Sequence, residues 1–157
     1  MIRRRLSAEQ FCDAFSQAIG GLYPDSLVMK KLLPAEAYQD APFSRAALVA
    51  NDPFQKALGR PTRETVTTSR QTASTLLQAL ELTNGSLLQQ AIETSARAWE
   101  KRYHDPTLRV RQLFRSAIGR VPTSAETELA LKAMKGVGGT ADLIWAVALH
   151  PEFQLIH

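Results

Sequence analysis

The chain has 157 residues, of which 45% are hydrophobic and 22% are charged, and its formal net charge is +4. A single domain of this size buries roughly 70% of the surface of its unfolded chain, so it can form a core without disulfides or metals. This composition argues against long intrinsic disorder. Cys12 is the only cysteine, which excludes an internal disulfide and a CxxC motif. No apolar run approaches the roughly 20 residues that cross a bilayer, and residues 1–6 do not resemble a signal peptide.

The first predicted helix begins after Ser7, because Ser7 and Gln10 form a capping-box pattern. The glycine pair at 20–21 predicts its end. Its apolar side is formed by residues at helical spacing: Phe11, Phe15, Ala18 and Ile19. Residues 22–43 have three prolines and no sustained period. They predict a long ordered connection, with room for a short strand or hairpin around 27–33.

Two short helices are predicted next, over 44–50 and 53–58. Asp52 followed by proline is a typical helix start, and Gly59 predicts the end of the second helix. Residues 60–73 are polar and rich in threonine, without a clear period. They are predicted to form an extended loop.

Five further helices are predicted between residues 74 and 150, each with its own start signal and four of them with a stop signal. The predicted starts are Ser74, Ser86, Asp105-Pro106, Thr123 with Glu126, and Thr140. The predicted stops are Asn84-Gly85, Gly119, Gly136 and Pro151. At Asn84-Gly85 the backbone is expected to adopt the left-handed conformation. Leu76, Leu77 and Leu80 form the apolar side of the first of these helices, and residues 153–156 are expected to pack back as a final turn.

These signals together predict an all-α fold, an irregular bundle of about seven or eight short helices with one long ordered connection. No sustained two-residue alternation supports a sheet of any size. We expect residues 1–157 to form a single helical domain.

No catalytic constellation is evident in the sequence. The three histidines, His104, His150 and His157, lack a second ligand at metal-binding spacing. There is no GxSxG motif, and Cys12 lies on the apolar side of the first helix, where a small buried hydrophobic residue is expected. No metal, no cofactor and no catalytic residue is predicted, which favours a non-enzymatic role over an enzyme.

Arginines and hydroxyl side chains are concentrated in the predicted loop after Gly59. Arg60, Arg63 and Arg70 lie among threonines and a serine, a combination that suits a carboxylate, sulfate or phosphate. Arg120 is a fourth candidate for such an anion site. The alternative is that these arginines bond the carbonyls at helix ends and attach the loop to the bundle.

A second concentration of basic residues lies between Arg97 and Arg120. This stretch holds seven basic residues and only two acidic ones, Glu100 and Asp105. Such a cluster can bind the backbone of nucleic acids. The aromatic residues nearby occupy core positions, so the pattern favours a solvated helix face, and nucleic acid is not the expected partner.

An ordered series of motifs resembles a known family. The segments are LGRPTRE (58–64), TSR (68–70), LQALELTNG (77–85), LFRSAIGRVPT (113–123), ADLIWAV (141–147), PEF (151–153) and RRLSAEQ (4–10). The chain resembles the carboxy-terminal part of a domain of unknown function found in large planctomycete-type proteins, which often carry a cytochrome c domain upstream.

The resemblance implies an exported or periplasmic location, a longer parent chain, and a redox-related or polysaccharide-related context. It supplies no catalytic residues. Many relatives have a cysteine pair just before the position of Arg70, whereas Thr67 and Thr68 stand here, so chemistry based on those cysteines does not apply. A CxxCH haem site is also absent from the sequence.

Three functions follow as hypotheses. The leading one is a non-enzymatic helical interaction or structural module, whose partner is another protein or the upstream domains of the same polypeptide. The second is an anion-binding accessory part of a polysaccharide-related or redox enzyme, which would use Arg60, Arg63, Arg70 and Arg120. The third is a nucleic-acid-binding module.

Overall fold

A computed structural model describes residues 4–23, 45–49, 52–61 and 75–156 of the chain. The strands are β1 (Arg4–Arg5) and β2 (Leu155–Ile156), and a 3-10 turn spans Ala46–Leu48. The helices are α1 (Ala8–Ala18), α2 (Pro53–Ala57), α3 (Leu76–Asn84), α4 (Ser86–Arg102), α5 (Pro106–Ala117), α6 (Ser124–Ala133), α7 (Gly139–Leu149) and α8 (Pro151–Gln154).

The predicted all-α class is confirmed. The strands form one antiparallel ladder of two residues each, with Arg4 opposite Ile156 and Arg5 opposite Leu155. The predicted final turn is present at Phe153, which is buried in α8, whereas residues 155–156 form β2 instead. The short strand or hairpin predicted around 27–33 lies outside the described residues. No described helix is long and apolar enough to cross a membrane.

The core lies where α1, α4, α5 and α7 meet. α4 packs along α7, and α1 packs against α5 and α2. Phe11 of α1 contacts three other phenylalanine rings, from α1, α2 and α8, with centroid distances of 6.5, 6.4 and 5.7 Å: Phe15, Phe54 and Phe153. These buried rings join the amino-terminal helices α1 and α2 to α8, at the other end of the chain.

Local start and stop signals account for most helix ends. The capping boxes at Ser7 and at Thr123 are both formed. Asp52 and Asp105 each accept hydrogen bonds from two backbone N–H groups at a proline-containing helix start. Gly59 has φ +93° and Gly119 has φ +79°, which explains why glycine follows both α2 and α5.

Four predicted signals act differently in the structure. Ser86 does not cap α4, because Gly85 occupies the cap position. Gly85 has φ −65°, so the predicted left-handed conformation is wrong. Glycine is needed there for space, since a Cβ atom would lie 2.3 Å from the Glu81 carbonyl oxygen. The helix start predicted at Ser74 falls at Leu76, and Thr75 is the cap of α3. Pro151 does not only limit α7, because it is also the first residue of α8.

The predicted helix over 44–50 is a 3-10 turn in its described part. Ser44 and Ala50, its predicted ends, lie outside the described residues. The turn begins at Ala46, whose backbone N–H donates to Asp13 of α1 at 2.8 Å. This bond holds the turn against α1.

The carboxyl end of α1 is closed by side chains from other helices. Trp99 donates its indole N–H to the Ile19 carbonyl oxygen at 2.6 Å, and Ser116 donates to the Ala18 carbonyl. A Cβ atom at Gly20 would lie 2.0 Å from the hydroxyl oxygen of Ser95. These contacts let α1 approach α4 closely while its last carbonyl groups remain paired.

Thr140 was predicted to cap α7, but it lies inside the first turn of that helix and is buried. Its hydroxyl donates to Glu100 of α4 at 2.6 Å and accepts from Arg109 of α5 at 2.9 Å. Arg109 also donates twice to the Tyr103 carbonyl, at 3.0 and 2.9 Å. One buried hydroxyl and one guanidinium therefore join three helices.

Replacing Thr140 with valine tests this junction. Thr140→Val keeps the shape of the side chain but removes both hydrogen bonds, and it leaves the Nη1 group of Arg109 without its hydroxyl partner. We expect the free energy of unfolding in urea to fall by about 1–3 kcal/mol. The matched control Thr107→Val, at an exposed position of α5, should change it by less than about 0.5 kcal/mol. Equal decreases in the free energy of unfolding of Thr140→Val and Thr107→Val would contradict this role of Thr140.

Candidate functional site

Arg60 is bound to the backbone of a neighbouring segment. Its Nη1 group donates to the Val49 carbonyl at 2.7 Å and to the Ala46 carbonyl at 3.2 Å, and its Nη2 group donates to Ala47 at 3.0 Å. Nη1 also donates to the amide oxygen of Gln55 at 2.8 Å. The side chain is only 16% exposed. Arg60 therefore bonds backbone carbonyls of residues 46–49, whereas the attachment of the loop after Pro61, which the alternative interpretation expects, lies outside the described residues.

The Gln55 amide completes this arrangement from α2. It is fully buried, and its nitrogen donates to the Ala46 carbonyl at 3.0 Å and to the Tyr23 hydroxyl at 3.1 Å. Tyr23 donates to Asp52, the cap of α2. The polar groups around Arg60 are therefore bonded to one another.

Cys12 lies beside this network, with its sulfur 3.7 Å from the Tyr23 hydroxyl. The thiol is buried, which confirms the prediction for this residue. Burial raises the pKa of the Cys12 thiol to about 12, so it is protonated at neutral pH and is not an activated nucleophile.

Arg120, the second described candidate, lies between two carboxylates. It donates to both oxygens of Glu126 at 2.9 and 2.8 Å, and to both oxygens of Glu152 at 2.9 Å. Its guanidinium also lies over the Phe114 ring, 5.9 Å from the centroid. The cluster joins the loop after α5 to the starts of α6 and α8. An anion at Arg120 would have to compete with both glutamates.

Arg60 and Arg120 share no hydrogen-bond or ion-pair partner among the described residues. Arg63 and Arg70 lie outside the described residues, so their role in an anion site stays a prediction. In the basic stretch from Arg97 to Arg120, Arg109 is buried. Apart from Arg120, the other basic side chains of this stretch are exposed on α4 and α5: Arg97, Lys101, Arg102, Arg111 and Arg115.

Histidine and carboxylate positions do not converge in the described part of the chain. It holds no group of three or more His, Cys, Asp or Glu side chains placed to bind a metal ion. His150 accepts a hydrogen bond from the Glu152 backbone N–H at its Nδ1 atom, 3.2 Å away. His150 therefore acts as the N-terminal cap of α8.

The leucines of α3 face outward. Leu76, Leu77 and Leu80 are 78%, 57% and 49% exposed, whereas the buried residues of this helix are Gln78 and Leu82. We refer to Leu76, Leu77 and Leu80 as the leucine face. The predicted apolar side therefore exists, but it does not form the packing side of the helix.

Two contacts fix the rotation of α3. Arg5 of β1 donates to the Gln78 amide oxygen at 3.2 Å, and Leu82 belongs to the core cluster. The leucine face cannot turn inward without breaking both contacts. A sequence signal for this was present, since α3 has apolar residues on opposite sides and cannot bury all of them in one interface.

A groove lies beside the carboxyl end of α3, between α4 and the amino end of α7. Its volume is about 390 Å³. Leu88 and Ile92 are buried beneath it, Trp145 lines it with 39% of its surface exposed, and Glu93 and Asp142 contribute carboxylates. We refer to this feature as the α4–α7 groove. The sequence reasoning missed it, because its two sides are about 50 residues apart in the chain.

The architecture defines an all-α domain without an assembled catalytic centre among its described residues. A sequence profile described as PSD1, protein of unknown function (DUF1553), matches residues 1–134. The chain therefore belongs to this family, which is the planctomycete-type domain that the motifs resemble. Neither a curated protein nor a solved structure matches the chain. α7 and α8 follow the matched region and pack into the same core.

The binding role of Arg60 can be tested by a conservative substitution. Arg60→Lys keeps the charge but loses the planar fork that reaches three carbonyls. We expect the free energy of unfolding to fall by about 1–3 kcal/mol. Arg45→Lys, at an exposed position in the same segment, should change it by less than about 0.5 kcal/mol. Full stability of Arg60→Lys would show that the carbonyl bonds are dispensable.

The Arg120 cluster predicts a pH dependence. Hydrogen bonds from Arg120, and then from the Thr123 backbone, lower the pKa of Glu126 from 4.5 to about 2. A lowered pKa contributes stability that is fully present above pH 4.5 and is lost as the pH falls towards 2. In an NMR titration, Arg120→Ala should raise the Glu126 midpoint, whereas Arg115→Ala should leave it in place. An unchanged midpoint in Arg120→Ala would contradict the assignment.

Proposed function

We propose that this domain is a non-enzymatic docking module, which holds another protein, or an upstream domain of the same polypeptide, within a larger exported protein. The observation that supports this proposal is the leucine face of α3. Leu76, Leu77 and Leu80 project outward, and the contacts of Gln78 and Leu82 hold the helix in that orientation.

The spacing of the leucine face suits recognition by a groove in a partner. Residues at i and i+4 lie on the same side of a helix, as Leu76 and Leu80 do, and Leu77 widens that side. Many complexes insert such an apolar helix side into a hydrophobic groove of the partner. Full burial of one leucine contributes roughly 1.5–3 kcal/mol, so three of them can offset a substantial part of the cost of association.

The polar chemistry of the described residues supports a binding role over catalysis. The thiol of Cys12 is buried and protonated. Among the described arginines with candidate roles, Arg60 bonds carbonyls and Arg120 bonds two glutamates. No contact in the described part of the chain favours the anion-binding alternative, which depends on Arg63 and Arg70.

A photocrosslinking experiment followed by binding measurements tests this proposal. A benzophenone amino acid at position 77 identifies the protein that contacts the leucine face in the producing cell, and the same probe at position 128 on α6 is the control. The recovered protein is then purified and its affinity is measured by calorimetry. We expect the double variant Leu76→Glu/Leu80→Glu to bind about 100-fold more weakly.

Two controls make the result decisive. Leu129→Glu changes another exposed leucine, on α6, and should leave the affinity unchanged. The thermal unfolding midpoint of Leu76→Glu/Leu80→Glu should not fall, because these side chains are exposed. Equal affinity of this variant and the wild type would refute the docking role of α3, as would equal crosslinking from positions 77 and 128.

A further inference from the structure

The α4–α7 groove has an acidic rim in a chain of net charge +4. Glu93 and Asp142 line it, and none of its lining residues is a lysine or an arginine. Both carboxylates are exposed, and neither forms an ion pair in the described part of the chain. Glu93 accepts only a neutral amide hydrogen bond, from Gln89 at 3.2 Å. The charge at the groove is therefore not neutralised by the described residues.

The position of Asp142 depends on a glycine. A Cβ atom added to Gly138 would lie 2.0 to 2.2 Å from the carboxyl atoms of Asp142. Any side chain at position 138 would displace this carboxylate from the lip of the groove. The glycine before α7 therefore keeps an acidic group next to an apolar floor.

The aromatic wall of the groove is also fixed. Trp145 donates its indole N–H to the Leu82 carbonyl at 3.2 Å, which anchors α7 to the end of α3. The indole remains 39% exposed. An indole ring beside two carboxylates attracts a guanidinium or ammonium group, while Leu88 and Ile92 below provide an apolar surface.

We propose that the α4–α7 groove binds a short peptide segment of the docking partner, in which an apolar residue is followed by lysine or arginine. The apolar side chain covers the floor, and the cationic group lies between Glu93, Asp142 and Trp145. The inference rests on the proposed docking function for the source of the peptide. Thr83 lines the groove and follows Leu80 by three residues on α3, so one extended partner segment can reach both surfaces.

The test uses a defined probe in place of the unidentified partner. The peptide acetyl-Leu-Lys-Leu-Arg-amide is titrated into the protein, and the indole N–H signal of Trp145 is followed by NMR. The chain has two tryptophans, and Trp99, which is bonded to the Ile19 carbonyl, serves as an internal reference. We expect a saturable shift of the Trp145 signal that weakens with added salt, and no shift of the Trp99 signal.

Charge variants of the protein and of the peptide distinguish specific recognition from nonspecific binding. Glu93→Gln/Asp142→Asn should weaken binding about tenfold, and the Trp99 signal shows whether this variant remains folded. Glu93→Gln alone, at an exposed position, should lower the affinity for the peptide by a smaller factor. Glu128→Gln, on the surface of α6, should leave the affinity unchanged. The peptide acetyl-Leu-Glu-Leu-Glu-amide should not bind.

Three results would overturn the inference: no shift of Trp145, equal shifts with the basic and acidic peptides, or unchanged affinity in Glu93→Gln/Asp142→Asn. The outcome is separable from that of the docking function. Peptide binding should survive in Leu76→Glu/Leu80→Glu, so loss of the docking role of α3 does not remove it. Partner binding that needs the leucine face but is indifferent to Glu93 and Asp142 would refute the groove inference alone.

Discussion

The guanidinium groups of Arg60 and Arg109 bind backbone carbonyl oxygens in a 3-10 turn and just after a helix end. A helix leaves about four carbonyl groups without intrahelical partners at its end, whatever its length, so a chain divided into short helices has many of them. Arg60 binds those of the 3-10 turn at Ala46–Leu48 and of the residue after it. Arg109 binds the Tyr103 carbonyl after α4. An unpaired buried group costs about 1–3 kcal/mol, so the irregular packing of this bundle depends on such side chains.

The bonding of these arginines to the backbone bears on the function of the domain. A chain with a basic excess suggests an anionic partner, yet Arg60 and Arg109 bond the backbone and Arg120 bonds glutamates. The exposed surface features that the fold itself does not use are of another kind. They are three leucines on one helix and an acidic groove beside it. Both owe their orientation to long-range contacts, from Arg5 to Gln78 and from Trp145 to Leu82. The same polar contacts that close the fold therefore hold the proposed docking surface in place.

Local sequence patterns predicted the all-α class and most helix ends, because a cap such as Ser7 or Thr123 needs only residues within one turn. They failed where a distant residue decides the outcome. Thr140 resembles a cap in sequence, but Arg109 and Glu100 draw its hydroxyl into the core. The leucines of α3 resemble a buried side, but Arg5, 73 residues away, fixes the opposite side inward. The groove could not be predicted for the same reason, since it exists only after α4 and α7 have packed.

We infer that the guanidinium of Arg60 serves the backbone carbonyls of residues 46–49 in place of a ligand. The most direct measurement is ¹⁵N NMR of arginine side chains, with and without added sulfate. Buried, bonded guanidinium groups rotate slowly and exchange their protons slowly, so Arg60 should give resolved Nη signals that sulfate does not shift. Arg97, exposed on α4, should give averaged signals under the same conditions. Averaged Arg60 signals that shift and saturate with sulfate would contradict the account and favour an anion site.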